Sequence, residues 1–216
     1  MGFKKFAGAR LLEVGCGMGT DLLQFARGGA KVTGVDLTPR SIEISRRHLE
    51  LYGQRGDFAV TDAEKLPFKS ESFDVVYSNG VLHHTPDTAG AVRELHRVLR
   101  SGGQARVMLY HRRSVAYWGQ MILLQGLLHG ELLRGLSPGE IMSRHVEVNE
   151  GGGRPLVKVY SRKQARELFS MFRDVSVEVE QLTRPELPVL GRLIPEGIFR
   201  FLRQTIGGNV IISARK

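Results

Sequence analysis

One cysteine, one tryptophan and no apolar run long enough to span a bilayer set the first limits on this 216-residue chain. With Cys16 alone, no disulfide can close within the chain and a zinc site built on several thiolates is excluded, which suits a reducing compartment. Nothing in the pattern asks for a metal. A spanning helix needs roughly 18–20 consecutive apolar residues; the nearest candidate, 115–133, is broken by Gln120, Gln125, His129 and Glu131. No charged-then-apolar leader opens the sequence, so the expectation is a cytoplasmic protein without a transmembrane segment.

Internal repeats and low-complexity tracts are also missing, and no basic run is interleaved with aromatics, as nucleic-acid binding would favour. What charge there is, +9 overall, is uneven: residues 1–108 hold 15 Lys/Arg against 12 Asp/Glu, and 109–216 hold 16 against 10. Such an excess can attract an acidic substrate, nucleic acid or a phospholipid surface; with no block of like charge, scattered solvated arginines are the favoured reading, and peripheral membrane contact stays open. The composition, 42 % hydrophobic and 25 % charged, is that of a globular protein, and the length suits one α/β domain.

Short apolar runs alternate with helical stretches through the first half, the pattern of a doubly wound, mostly parallel sheet. Strands are expected at 10–14, 31–36, 57–60, 72–78 and 104–110. Thr38 caps a helix with Pro39 at its first position, and Asp87 opens another. After Tyr110 the rhythm breaks for some fifty residues, and inserts of that length are commonly functional. Here 115–133 reads as helix and Gly151-Gly152-Gly153 as a turn. A helix at 161–169, a strand at 175–179, an amphipathic segment at 189–203 and a last strand at 209–213 follow. The organisation expected is one domain, 1–216, of about seven strands with the last antiparallel, carrying a helical lid at 112–157.

The most informative stretch is Leu11-Leu12-Glu13-Val14-Gly15-Cys16-Gly17-Met18-Gly19-Thr20, an apolar strand running through alternate glycines into a helix. Such a turn lets backbone approach a ligand closely. Lys31-Val32-Thr33-Gly34-Val35-Asp36 then ends in an acid at the spacing where a nucleotide ribose is met. Together they point to a nucleoside cofactor. Thr20 stands where a dinucleotide fingerprint wants its last glycine, which disfavours an NAD-dependent oxidoreductase.

In the order Glu13 to Gly19, Gly34-Val35-Asp36, Asp62-Ala63-Glu64-Lys65-Leu66-Pro67-Phe68 and Phe73-Asp74-Val75-Val76 leading to Val81-Leu82-His83-His84, the sequence resembles the class I S-adenosylmethionine-dependent methyltransferases. The likeness is to the branch of ubiquinone and menaquinone biosynthesis. Glu94-Leu95-His96-Arg97-Val98-Leu99 with Gly102-Gly103 adds to it, and it covers about half of the chain, 10–110.

The resemblance implies a Rossmann-like fold and S-adenosyl-L-methionine as cofactor. Its methionine part would lie over Gly15, Cys16, Gly17 and Gly19, with Glu13 near the ammonium. Asp36 would accept from both ribose hydroxyls, and Leu37 would pack on the adenine. Asp62 and the Ala63 N–H would serve the adenine edge, and Asn79-Gly80 the methionine side. Cys16 is read as a small loop residue without chemistry.

Methyl transfer is an in-line displacement that needs alignment and, for some acceptors, a base. Ligands of open α/β sheets sit beyond the carboxyl ends of the strands, which makes His84 and His111 the candidate bases. Adjacent His83 and His84 should face opposite ways on an extended segment, so only one can address the site. Tyr110, Tyr117, Trp118, His145 and Tyr160 are candidates for the acceptor site, although Trp118 would serve equally as an anchor of the insert.

Ser78-Asn79-Gly80-Val81 stands where methyltransferases of nucleic-acid bases carry an Asn/Asp-Pro-Pro-aromatic run, so nucleic acid is disfavoured. Nine residues precede the first strand, where relatives carry covering helices; closure by the insert is expected, with a subunit contact through its apolar helix as the other route. The expected partner is a small-molecule acceptor of a monomer or homodimer. An anionic or lipid-linked substrate and a non-catalytic cofactor-binding scaffold are the alternatives.

Overall fold

The structure, a computed structural model, describes residues 2–145, 155–187, 191 and 193–216. Gly151-Gly152-Gly153 and part of 189–203 therefore lie outside the described residues.

Seven strands form one sheet: β1 (Arg10–Val14), β2 (Lys31–Asp36), β3 (Asp57–Val60), β4 (Phe73–Asn79), β5 (Leu99–Tyr110), β6 (Arg173–Glu180) and β7 (Asn209–Arg215), in the order β3-β2-β1-β4-β5-β7-β6. β1 runs parallel to both β2 and β4, with Leu12 beside Thr33 on one side and Val76 on the other. The order reverses between β1 and β4, which opens a crevice beyond their carboxyl ends. Strands buried on both faces read as continuous apolar runs, and Leu11, Leu12, Val75 and Val76 are all buried.

β5 is longer than the predicted 104–110. Ser101-Gly102-Gly103 was expected to be a turn, but Gly102 donates to the Lys216 carbonyl and the Lys216 N–H to that of Gly103. This antiparallel pairing with the end of β7 continues the ladder back to Leu99. At the other end the His111 N–H donates to the Gly208 carbonyl.

Helices α1 (Thr20–Arg27), α2 (Pro39–Leu51), α3 (Thr88–Val98), α4 (Pro138–His145), α5 (Arg162–Leu168) and α6 (Glu196–Ile206) accompany the sheet. The Thr38 hydroxyl accepts from the Ser41 N–H to cap α2, and Asp87 accepts from the Gly90 N–H to cap α3, each cap contributing about 1 kcal/mol. Residues 116–128 form a π-helix, where an α-helix to 133 was predicted. Its buried residues, Tyr117, Met121 and Gly126, recur at intervals of four and five, as a ladder wider than the α-helix's requires. Gly130, at φ 72°, ends it.

The chain comprises two compact units, one of 1–107, 168–176 and 212–216, the other of 108–167 and 177–211. In the first, Phe25 of α1 is fully buried and meets Phe3, Phe6 and Tyr77 edge-on. In the second, Tyr117, Met121, Ile141, Met142 and Val157 make a smaller core. Among the described residues no helix is long and apolar enough to cross a membrane.

Candidate active site

The first unit gathers the motif residues at the carboxyl ends of β1, β2 and β4. Gly15, Gly17 and Gly19 all have positive φ, but their surroundings differ. A Cβ on Gly15 would stand 2.2 Å from the Val81 side chain and one on Gly19 would meet Ser45, whereas one on Gly17 would meet nothing within 4 Å. Gly15 and Gly19 are thus required by packing, whereas the space in front of the Gly17 Cα is open.

Asp36 closes this loop. Its Oδ2 accepts from the Gly17 N–H at 3.0 Å and its Oδ1 from the Thr38 N–H at 3.0 Å. The Thr38 hydroxyl also lies 3.1 Å from Oδ1; of the about four acceptor sites of a carboxylate, the one left is on Oδ2, for a ligand hydroxyl. Neighbouring Leu37 is 69 % exposed, an apolar surface suited to one face of a base. α2 holds the loop from behind: the Ser45 hydroxyl donates to the Gly17 carbonyl at 2.9 Å, and His48 Nδ1 lies 2.8 Å from the Met18 carbonyl. Burial pushes the Cys16 thiol up to about 12, so it stays protonated and inert near neutrality.

Glu13 is the most unusual group of the site. It is 4 % exposed, and its Oε2 is buried without a hydrogen-bond partner among the described residues. Burial, reinforced by Asp21, holds its carboxyl well above the usual range. Asp21 Oδ2 accepts from the Tyr77 hydroxyl at 2.7 Å and from Asn79 Nδ2 at 3.2 Å. Two acidic groups acting on one another in this way suit a ligand that bears positive charge.

Asp62 is exposed, and its Oδ1 accepts from the Glu64 N–H at 2.9 Å; Ala63 is buried beside it. α3 fixes this turn. Glu94 Oε2 accepts from the Leu66 N–H at 2.8 Å, while the Arg97 guanidinium donates to the carbonyls of Phe68 at 2.7 Å and Leu66 at 3.0 Å. The hydrogen-bonded Arg97 keeps the Glu94 carboxyl below its ordinary range. The Glu94-Leu95-His96-Arg97 motif therefore serves the loop that carries Asp62.

Gly80 follows Asn79 at φ 77°. His83 and His84 do not lie on an extended segment as expected. They end a short 3₁₀ helix, Leu82–His84, with ring centroids 4.1 Å apart, because the chain must turn sharply to bring Val81 onto Gly15. Burial and the neighbouring ring depress His83 to about 3, so it is neutral.

The second unit contains a cavity of about 440 Å³ lined by Tyr110, His111, Tyr117 and His145 among the predicted residues, together with Met108, Gln120, Met121, Met142, Gln181, Glu186 and Asn209. His111 is buried, and its Nδ1 donates to the Gly207 carbonyl at 2.9 Å. A carbonyl can only accept, so Nδ1 carries the hydrogen and Nε2 keeps its lone pair. Burial lowers the His111 pKa, with Arg162 and Arg113 adding to this against the Gly207 hydrogen bond. His145 Nε2 lies 3.1 Å from Glu131.

Tyr160 does not line the cavity. Its N–H donates to the Tyr110 carbonyl and its own carbonyl accepts from the Arg112 N–H, which positions His111 through backbone. Trp118 is 55 % exposed, touches Tyr117 edge-on and does not line the cavity.

A larger cavity, about 1290 Å³, opens at the opposite edge of the sheet, where Arg10, Lys31, Asp57 and Phe73 begin β1 to β4. None of the motif glycines or acids lines it. Asp21, Tyr77, Ser45 and His48 are site residues that the sequence reading missed. The last two carry a signal, as polar residues on the inner side of an amphipathic helix.

Residues 12–107 match the family described as a methyltransferase domain. The ubiquinone biosynthesis O-methyltransferase of Methylocella silvestris is 43 % identical over 96 residues, which is 44 % of this chain and 38 % of that protein. The one from Aromatoleum aromaticum is 36 % identical over 112 residues, 51 % and 48 % of the two chains. The chain thus spans less than half the length of these curated relatives.

Among solved structures, an S-adenosylmethionine-dependent methyltransferase from Methanosarcina mazei aligns over 98 % of this chain and 95 % of its own, with a TM-score of 0.66 and 17 % identity. The [4+2]-cyclase SpnF aligns over 97 % and 76 %, with a TM-score of 0.62 and 23 % identity. The structural matches establish a Rossmann-like fold of the methyltransferase type. In sequence, the chain resembles class I S-adenosylmethionine-dependent methyltransferases of the ubiquinone type.

Proposed function

We propose that this chain is an S-adenosylmethionine-dependent methyltransferase acting on a small-molecule acceptor in the cytoplasm, with the donor held by residues of the first unit. The observation that carries the reading is the buried Oε2 of Glu13, without a hydrogen-bond partner among the described residues, with the charge of Asp21 acting on it. An ammonium satisfies both the charge and the missing hydrogen bond there, and a ribose hydroxyl reaches Asp36. Leu37 covers one face of the adenine, Asp62 and the Ala63 N–H its polar edge, and Asn79-Gly80 the methionine side.

When bound, S-adenosylmethionine supplies a methyl group on a sulfonium, activated for displacement. The chain's own task is alignment, exclusion of water and removal of the acceptor proton. We assign the last of these to His111, whose Nδ1 hydrogen is held by the Gly207 carbonyl. Its neutral Nε2 accepts the proton, and the resulting imidazolium is held in orientation by the Gly207 carbonyl on Nδ1.

Calorimetric titration with S-adenosylmethionine and S-adenosylhomocysteine, with NAD as control, tests the reading. Micromolar binding of the sulfur ligands, lost in Asp36→Ala, is the expected result. Binding of NAD instead, or of none of the three, overturns it.

A further inference from the structure

We propose that the outer face of the π-helix docks on an anionic lipid bilayer. From Ser114 to Gly130 the chain has no Asp, Glu, Lys or Arg, and His129 is its one titratable side chain besides Tyr117. A helix apolar on all sides is ordinarily buried on all sides, yet this one is buried only along Tyr117, Met121 and Gly126. Off that row, Trp118, Leu123, Leu124, Leu127 and Leu128 are all exposed, Leu128 to 70 %. Apolar faces of this kind mark interaction sites, and a helix too short to span a membrane is suited to lie in its interface.

Charge decides the occupant. Arg112 and Arg113 are exposed at the start of the helix and Arg134 beyond its end. The acid of this stretch, Glu131, is 13 % exposed at its side chain and engaged by His145. From its own 112–134 stretch a second copy docked face to face would add three more arginines and no exposed carboxylate for them. Anionic headgroups supply the missing charge along with the apolar phase. A tryptophan at the border of such a face suits the headgroup level. Tyr117 and Met121, on the inner side of the same helix, line the 440 Å³ cavity, so a bilayer on the outer side lies about one helix diameter, roughly 10 Å, from it. Delivery of an apolar acceptor by that route rests on the proposed function; the docking does not.

Trp118 is the chain's single tryptophan, so its fluorescence reports on this face alone. With vesicles containing phosphatidylglycerol its emission is expected to move to shorter wavelength and its quenching by acrylamide to fall. Both effects should weaken with salt and with pure phosphatidylcholine. Leu127→Ser/Leu128→Ser lowers vesicle partitioning by about a hundredfold or more, and Arg112→Glu/Arg113→Glu removes the preference for anionic lipid.

A Trp118 spectrum indifferent to every vesicle overturns the proposal. So does a lipid-free blue shift that grows with protein concentration as the mass doubles, which assigns the face to a second copy. Partitioning that survives the leucine pair and disappears in Ile198→Ser/Phe201→Ser overturns it in favour of α6. Should the serine pair fail to fold, the spectral shift and its salt dependence in the unmodified chain still decide. No readout here uses methyl transfer, so failure of the cofactor reading and failure of docking are separable.

Discussion

Replacing Glu13 by Gln separates a ligand-binding carboxylate from a structural one, because the two roles predict effects of opposite sign. In the ligand-free protein, burial and Asp21 hold the Glu13 carboxyl well above its ordinary 4.5. Between 4.5 and that raised value the folded chain holds more protons at this position than the unfolded one, so stability falls as pH rises through the window. Each unit of elevation amounts to about 1.4 kcal/mol, lost in full once pH passes the folded-state value. Glu13→Gln removes the titration, so the variant is expected to melt at or above the unmodified chain at neutral pH, with the difference vanishing below 4.5. Binding goes the other way. A charge-assisted hydrogen bond to the ligand ammonium contributes about 1.5–3 kcal/mol, so S-adenosylhomocysteine should bind roughly 10- to 150-fold more weakly. Melting curves across pH, with calorimetry in buffers of different ionisation enthalpy, measure both. The same calorimetry should show proton release when the unmodified chain binds, since a cation beside Glu13 draws its pKa down. Equal affinity in the two proteins, with parallel stability curves, would refute the assignment of Glu13 to the ligand.

The glycine loop predicts contrasting outcomes. Gly15→Ala drives a methyl into Val81 and is expected to cost about 1–3 kcal/mol of stability, read in urea titrations. Gly17→Ala, open to solvent, should cost only the roughly 1–2 kcal/mol of its left-handed backbone yet abolish cofactor binding. For His111→Gln, a fall in kcat of about 10²- to 10⁴-fold is expected with cofactor affinity unchanged. Because burial lowers the His111 pKa, kcat/KM should rise with pH and reach its plateau on the acid side of 6.5; a limb centred above 6.5 would assign the base elsewhere. Glu94→Gln should weaken cofactor binding through the Asp62 turn. Its depressed pKa makes the Glu94 contribution to stability present above 4.5 and lost as pH falls, and that dependence should disappear in the variant.

The first hundred residues were legible because each strand and helix there carries its own local signal. Apolar runs mark β1 to β4, Thr38-Pro39 and Asp87 mark helix starts, and alternate glycines mark the turn. Even so, the sequence could not distinguish why Gly15, Gly17 and Gly19 are glycines. That depends on Val81 and Ser45, which arrive from distant elements. Asp21 and Tyr77 were missed for the same reason, since their hydrogen bond joins residues 56 apart. The extent of β5 was misread because Gly102-Gly103 looks like a turn until the end of β7 pairs with it.

The second half was harder because a helix's outer face is ambiguous in sequence. Trp118 was expected either to line the acceptor site or to anchor the insert, and both roles assume α-helical geometry, in which residues three and four apart share a face. Wider π spacing places Tyr117, Met121 and Gly126 on the inner side and turns Trp118, Leu123 and Leu127 outward. A one-residue difference in hydrogen-bond register thus converts a candidate acceptor wall into a surface that needs a partner. The apolar content of 115–133 was visible from the start; which of it faces the cavity and which faces outward is a property of the helix type, and no residue in the stretch announces it.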